Sequence, residues 1–387
     1  MNRGAATGSL LILFLYDVAD AIRLDGLRET LGAPPPKREP PFRQPAPEYV
    51  RFEKPPVIEP LPPVAVQALS LRRPGSAISL LTGSQYSDDS GARIGGRVAY
   101  YESGIVTIQF EVPFEGYWEE IVALAARWMN APELEAKAAA VVREHVAKAG
   151  GAIVNGYRER LSEDYCIMHL RRVQDDDGRL MSASELIAQC ADYIAQIVRG
   201  EVAIFAATER AEILESRMSY YENDVLVVGW SAALVYDTPE GADPTIQLLE
   251  YANTQLLQFR HYDAVLTALL SELYRSLERG GLLARWRLAR EAERLNTIRL
   301  DIRELTERVD NSIKFLSDMF AARLYHMAAT KIGVPDYRTL VDQKLQSAGE
   351  LYGFMMDRFY QGRAFVLELM VVIILVIELV FLFRGVK

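Results

Sequence analysis

Four histidines, His145, His169, His261 and His326, and two cysteines, Cys166 and Cys190, are the side chains of this sequence best suited to metal binding or nucleophilic work. Only Cys166 and His169 lie close together. Residues three apart on a strand point to opposite faces, so that pair cannot share a metal without a bulge. The glycines of 91–96 (GARIGG) lack the lysine and hydroxyl that complete a phosphate loop, and also the strand-to-helix setting of a dinucleotide fingerprint. A turn between strands is expected there. Asp175, Asp176 and Asp177 offer hard oxygen ligands, but the closing glutamate of a twelve-residue calcium loop is missing and a solvated turn is the simpler reading. Neither a nucleophile elbow nor a zinc-protease helix occurs. The sequence therefore assigns no catalytic, cofactor-binding or metal-binding residue, and an enzymatic site would have to be assembled from residues far apart in the chain.

The elements that would position such residues follow from periodicity. Residues 10–16 (LLILFLY) are apolar but end at Asp17, too short for a membrane span, and suit a buried strand followed by a helix over 18–31. Twelve prolines between residues 33 and 63 exclude a helix or a central strand and predict an extended linker. From 64 to about 240 the period alternates between two and 3.6, the pattern of an α+β domain. Strands are expected at 64–71, 97–101, 105–112, 165–171 and 225–236, and helices at 117–129, 133–149 and 183–198. The run DVLVVGWSAALVYD (224–237) is almost continuously apolar, so both of its faces should be covered.

Long helices take over after Asp243-Pro244, with a break at Gly280-Gly281. In the second helix Leu288, Leu295, Ile302, Val309 and Leu316 recur every seven residues, joined by Ile298 and Leu305, which makes a coiled-coil seam. Residues 243–332 are expected to fold back as an antiparallel hairpin, with self-association into a homo-oligomer as the competing use of the stripe. A further helix should run from 336 to 363.

Residues 364–383 (AFVLELMVVIILVIELVFLF) form a twenty-residue apolar stretch, matching a hydrocarbon core of about 30 Å at about 1.5 Å per residue. Only Glu368 and Glu378 interrupt it, and Arg363 and Arg384 flank it. The expectation is one C-terminal transmembrane helix in a bacterial inner membrane, with the α+β domain on the cytoplasmic side and the two acids forming a polar seam toward protein. A formal net charge of -9 provides no general field for nucleic acid, so direct nucleic-acid binding is not expected.

The strand DVLVVGWSAALVYD, the helix RLNTIRLDIRELTERVDN (294–311) and the acid-spaced LELMVVIILVIEL (367–379) together resemble the YagE-like family, also called "required for meiotic nuclear division". That resemblance covers roughly residue 165 to the C-terminus. It implies a membrane-anchored, oligomer-forming protein without established catalytic residues, whose mitochondrial members support translation. The leading expectation is a non-enzymatic, membrane-anchored oligomeric scaffold that presents the α+β domain to a cytoplasmic protein. A transport or channel component, or a membrane-held enzyme, is the alternative. The Gly-Met-Asn loop and second span of magnesium channels of the CorA type are both missing.

Overall fold

The computed structural model describes residues 4–32, 55–65, 93–129, 131–279, 293–307, 319–383 and 385. The chain divides into two units: Met1–His261 with Arg308–Tyr337, and Tyr262–Glu307 with Arg338–Lys387.

The first unit is built on an eight-stranded mixed sheet. Strand β1 (Ala5–Asp17) lies inside the sheet, antiparallel to β5 (Ile105–Tyr117) on one side and to β7 (Ser162–Val173) on the other. Outward from β5 come β4 (Arg93–Tyr100) and the edge strand β3 (Val57–Ala65). Outward from β7 come β10 (Ala232–Tyr236), the one parallel neighbour in this sheet, then β9 (Val225–Val228) and β8 (Arg217–Met218). A second, two-stranded sheet pairs β2 (Ala19–Ile22) with β6 (Ile153–Gly156). The apolar run of β1 arises because both of its faces are buried, so no period-two alternation survives. At Gly8 the register of β1 against β7 shifts, and a Cβ there would sit 2.0 Å from the His169 carbonyl oxygen, a contact only glycine escapes.

One sheet face carries Leu10, Ile12, Phe14 and Tyr16 of β1 and packs in a single core with α1 (Leu24–Leu31), α2 (Trp118–Trp128), α3 (Pro132–Ala149) and α4 (Ala183–Arg199). A further short helix, α5 (Ala207–Glu215), buries only Ile213 and Leu214. The opposite face is covered by the start of α6 (Pro239–Arg279), while α8 (Met319–Ile332) adds Phe320, Leu324, Tyr325 and Ala328 to the buried interior.

The second unit is helical. It holds the remainder of α6, α7 (293–307) and the later part of α9 (Val334–Phe383). Leu266, Leu269 and Leu273 of α6, Leu295, Ile298, Ile302 and Leu305 of α7, and Val341 and Ala348 of α9 are its buried residues. Arg294 Nη1 meets Glu272 Oε2 at 3.5 Å, joining the start of α7 to the end of α6 as an antiparallel hairpin requires. Lys344 Nζ ties α9 to α6 through Asp263 Oδ1 at 2.6 Å and the Thr267 hydroxyl at 2.7 Å.

Several expectations need correction. The C-terminal transmembrane helix is not supported: among the described residues no helix is long and apolar enough to cross a membrane. With the span go the membrane anchor and the placement as a single-pass inner-membrane protein with a cytoplasmic domain. The α+β assignment of the first unit stands.

Residues 57–63 belong to a strand, not to a linker. Pro60, Pro62 and Pro63 are tolerated because β3 is an edge strand whose pairing shifts register between Leu61 and Val64, where ladder donors are not required. The helix expected over 18–31 is instead β2 plus α1, and 225–236 is a hairpin of two strands around Gly229-Trp230-Ser231.

Candidate functional site

The sequence-derived candidates separate into two groups. Leu295, Ile298, Ile302 and Leu305 come together in the second unit and are 3–6% exposed, so the described part of the seam is used inside this chain. Leu288, Val309, Leu316 and Arg384 lie outside the described residues, as do the side chains of Arg363 and Glu368. Glu378 is exposed on α9.

The histidines and cysteines are dispersed, as the sequence indicated. Cys166 and Cys190 are buried free thiols, and burial pushes the Cys190 thiol up to about 12, out of the range of a ready nucleophile. His169 is 4% exposed beneath α6 and its Nε2 lies 3.1 Å from the Asp237 carbonyl; burial lowers its pKa. His145 on α3 approaches the Tyr100 hydroxyl at 2.7 Å and Glu59 at 3.4 Å, while Lys148 bonds the same Glu59 at 3.0 Å. This cluster fastens α3 to β3 and β4. Gly95 and Gly96 lie in β4, and Asp175 caps its own turn by accepting from the amides of Asp177 and Arg179, so neither place is a ligand loop. Among the described residues there is no group of three or more His, Cys, Asp or Glu able to hold a metal.

The densest polar constellation is one that sequence spacing could not find. It forms where α6 crosses the sheet. Glu250, 2% exposed, accepts from Arg97 Nη2 at 2.8 Å, and Arg97 Nε donates to Gln109 at 2.9 Å. The buried Tyr101 phenol is raised well above its usual range, first by burial and then by Glu250. At the last two residues of α6 in the first unit, Arg260 pairs with Glu163 of β7, and His261 Nδ1 lies 2.6 Å from Asp17 Oδ2 at the end of β1. Tyr157 stacks on the His261 ring at 4.9 Å and donates to Asp20 at 2.6 Å; Asn155 donates to the other Asp20 oxygen at 2.8 Å. Asn155 takes φ 51°, the only positive φ of a non-glycine residue among those described.

A carboxylate on Nδ1 fixes the orientation of the His261 ring, so this contact anchors α6 to the end of β1. Burial raises the Asp17 pKa and contact with His261 only partly offsets it, as expected for a carboxylate serving an internal tie. Three such ties, to β4, β7 and β1, fix α6 in one register over the sheet. A stripe of plain leucines would allow it to slide. The signal in the sequence was the interruption of the apolar stripe of α6 by Glu250, Asn253 and Gln255, all of which are buried.

The surface is different in character. Trp230 is 59% exposed on the turn between two fully buried strands, and its ring lies against Gly333, where a Cβ would meet it at 3.1 Å. The end of α4 abuts the same turn, since a Cβ on Gly229 would meet Val198 at 2.5 Å. The segment that follows α4 exposes Val202 and Ile204 by 63% and 80%.

Residues 7–243, from the start of β1 to the second turn of α6, match the family described as "Uncharacterized protein MJ0711, N-terminal domain". The Methanocaldococcus jannaschii protein of that description is 19% identical over 169 residues, 44% of this chain and 52% of the relative. The chain thus spans about half the length of that relative. No solved structure matches.

Proposed function

The chain belongs to the family of the MJ0711 N-terminal domain, and we propose that it is a non-enzymatic scaffold whose α+β unit presents a surface to a protein partner. The observation that carries this reading is Trp230. A large aromatic side chain, more than half exposed on a turn between buried strands, contributes little to the core beneath it. Exposed tryptophans are also the residues from which binding hot spots are most often built. Val202 and Ile204 extend the apolar exposure beside the end of α4. The polar groups that could have done chemistry are instead occupied in holding α6, α3 and the sheet together. The hairpin that carries Trp230 is also the segment that resembles the YagE-like family, which supports looking for the partner among components of translation. Because the described seam residues are buried within the second unit, homo-oligomer formation would draw on a surface other than that stripe.

A photo-crosslinking amino acid at position 230 of the full chain should give one discrete heteromeric adduct in cells, and the same group at the exposed Leu180 should give none. Trp230→Ala should weaken the recovered complex by about 2 kcal/mol or more, roughly thirtyfold, while leaving melting nearly unchanged. Equal labelling from positions 230 and 180 would sink the proposal.

A further inference from the structure

The turn that carries Trp230 also meets the junction of two helices, still within the first unit. Helices α8 and α9 are joined by the single residue Gly333, at φ 95°. Its amide closes α8 by donating to the carbonyls of Ala329 at 3.1 Å and Thr330 at 3.2 Å, and its carbonyl opens α9 by accepting from the amide of Tyr337 at 3.2 Å. Pro335 has no amide hydrogen to give, so α8 cannot run on into α9 as one ladder. A joint of one residue has no slack, because the two backbone dihedrals of Gly333 set the bend between the helices.

Glycine is the residue least able to hold one bend by itself, since it visits positive and negative φ about equally. Gly333 is nevertheless buried, between the buried Ile332 and Val334. What stands over it is the indole of Trp230. Ring carbons Cη2 and Cζ3 lie 3.1 and 3.2 Å from where a Cβ of residue 333 would be, so the ring fills the place of the missing side chain. The base of the ring is rigid. The Gly229 amide donates to the Ala232 carbonyl at 2.8 Å, the Gly229 carbonyl accepts from the hydroxyl of the buried Tyr165 at 3.1 Å, and Val198 leaves no room for a side chain at 229. The indole is thus a fixed stop against which the joint rests, while 59% of the residue stays open to solvent.

We infer that Trp230 is the latch of the α8–α9 joint: its indole holds the bend at Gly333, and the joint opens when the ring is taken away. Whatever draws the indole off Gly333 therefore loosens the joint. The inference concerns the free chain and does not require the partner proposed above.

Hydrogen exchange of the full chain alone tests it. Trp230→Ala should speed exchange of the Gly333 and Tyr337 amides at least about tenfold, as a local opening does, while the amides of β1 and β7 exchange as in wild type. Trp230→Phe keeps a flat ring beside Gly333 and should recover most of the protection. Tyr221→Ala removes a ring that is 62% exposed on a different turn and should change nothing at the joint. Gly333→Asn supplies the reciprocal arm. Asparagine accepts positive φ better than other side chains do, so its effect reports collision with the ring more than backbone strain. It should speed exchange by itself and add nothing in the Trp230→Ala background. If Gly333 is only a helix cap, Trp230→Ala leaves the exchange unchanged and Gly333→Asn acts equally in both backgrounds; either result overturns the inference. Should Gly333→Asn fail to fold, the Trp230 variants decide the matter alone.

Discussion

Replacing Arg97 by methionine probes the tie that holds α6 over the sheet. Arg97 makes two contacts there, Nη2 to Glu250 at 2.8 Å and Nε to Gln109 at 2.9 Å. Its side chain is 24% exposed, whereas that of Glu250 is 2% exposed, so the substitution strands a carboxylate that water cannot reach. Removing one partner of a buried pair costs about 3–5 kcal/mol, and the partial exposure of the arginine places this case near about 3. That is a large share of a stability that lies at about 5–15 kcal/mol for typical domains. Urea unfolding followed by tryptophan fluorescence should show the midpoint falling with little change in slope. The double replacement Arg97→Met with Glu250→Leu should recover most of the loss, because an apolar pair of similar size carries no desolvation penalty. If Arg97→Met costs less than about 1 kcal/mol, or if the double variant is no better than the single, Glu250 is not buried as described and the account of how α6 is held is wrong.

The remaining predictions concern protons and the helical unit. Burial lowers the pKa of both His145 and His169, so the stability they contribute is complete above the unfolded-state value of about 6.5 and is lost as pH falls through that value toward the folded one. Asp17 runs the other way: its folded pKa is raised, so its contribution is complete below the unfolded value near 4 and is lost as pH rises through the folded one. Melting curves should therefore show the wild type losing stability as pH falls below about 6.5, and His169→Gln should flatten that slope; an unchanged slope would show that His169 is not held neutral. In the second unit, Ile302→Asp places a charge at a position 3% exposed and should cost several kcal/mol, read as loss of protection of the α7 amides in hydrogen exchange. Full protection would mean that the seam is not a packed face.

What could be read in the sequence was whatever is written by local pattern. The strand at LLILFLY, the helices over α2, α3 and α4, and the stripe of α7 follow from runs and periods within one element, and all five are present, the stripe over its described residues. Short or atypical elements were lost. Four residues of β2 are too few to show a period, α5 buries only two apolar side chains, and β3 carries three prolines that an edge strand with a register shift can accept. The polar constellation was not legible at all. Asp17 and His261 meet across almost the whole first unit, and Arg97 and Glu250 belong to a strand and a helix with no common motif, so their relation exists only in the fold. The contact of Trp230 with Gly333 brings together a strand turn and a helix end in the same way. The apolar run near the C-terminus suggested a function from hydrophobicity alone, and that was the inference the described helix did not support.

The position of β1 inside the sheet has a consequence for how the chain is made. Leu13 pairs with Gln109 on one side and Tyr165 on the other, so its second partner is synthesised 152 residues after it. At roughly 5–20 residues per second that delay is about 8–30 s. Until β5 emerges, the thirteen residues of β1 present an apolar segment with both hydrogen-bonding edges unfilled, and from then until β7 emerges one edge stays open. Such a segment has the composition of an aggregation nucleus. Non-local pairing of this kind also predicts slow folding, since loop closure must precede any reward from contact. Pulse-labelled nascent chains arrested before residue 162 should therefore be found on a holding chaperone, and those arrested beyond 261 should be released from it.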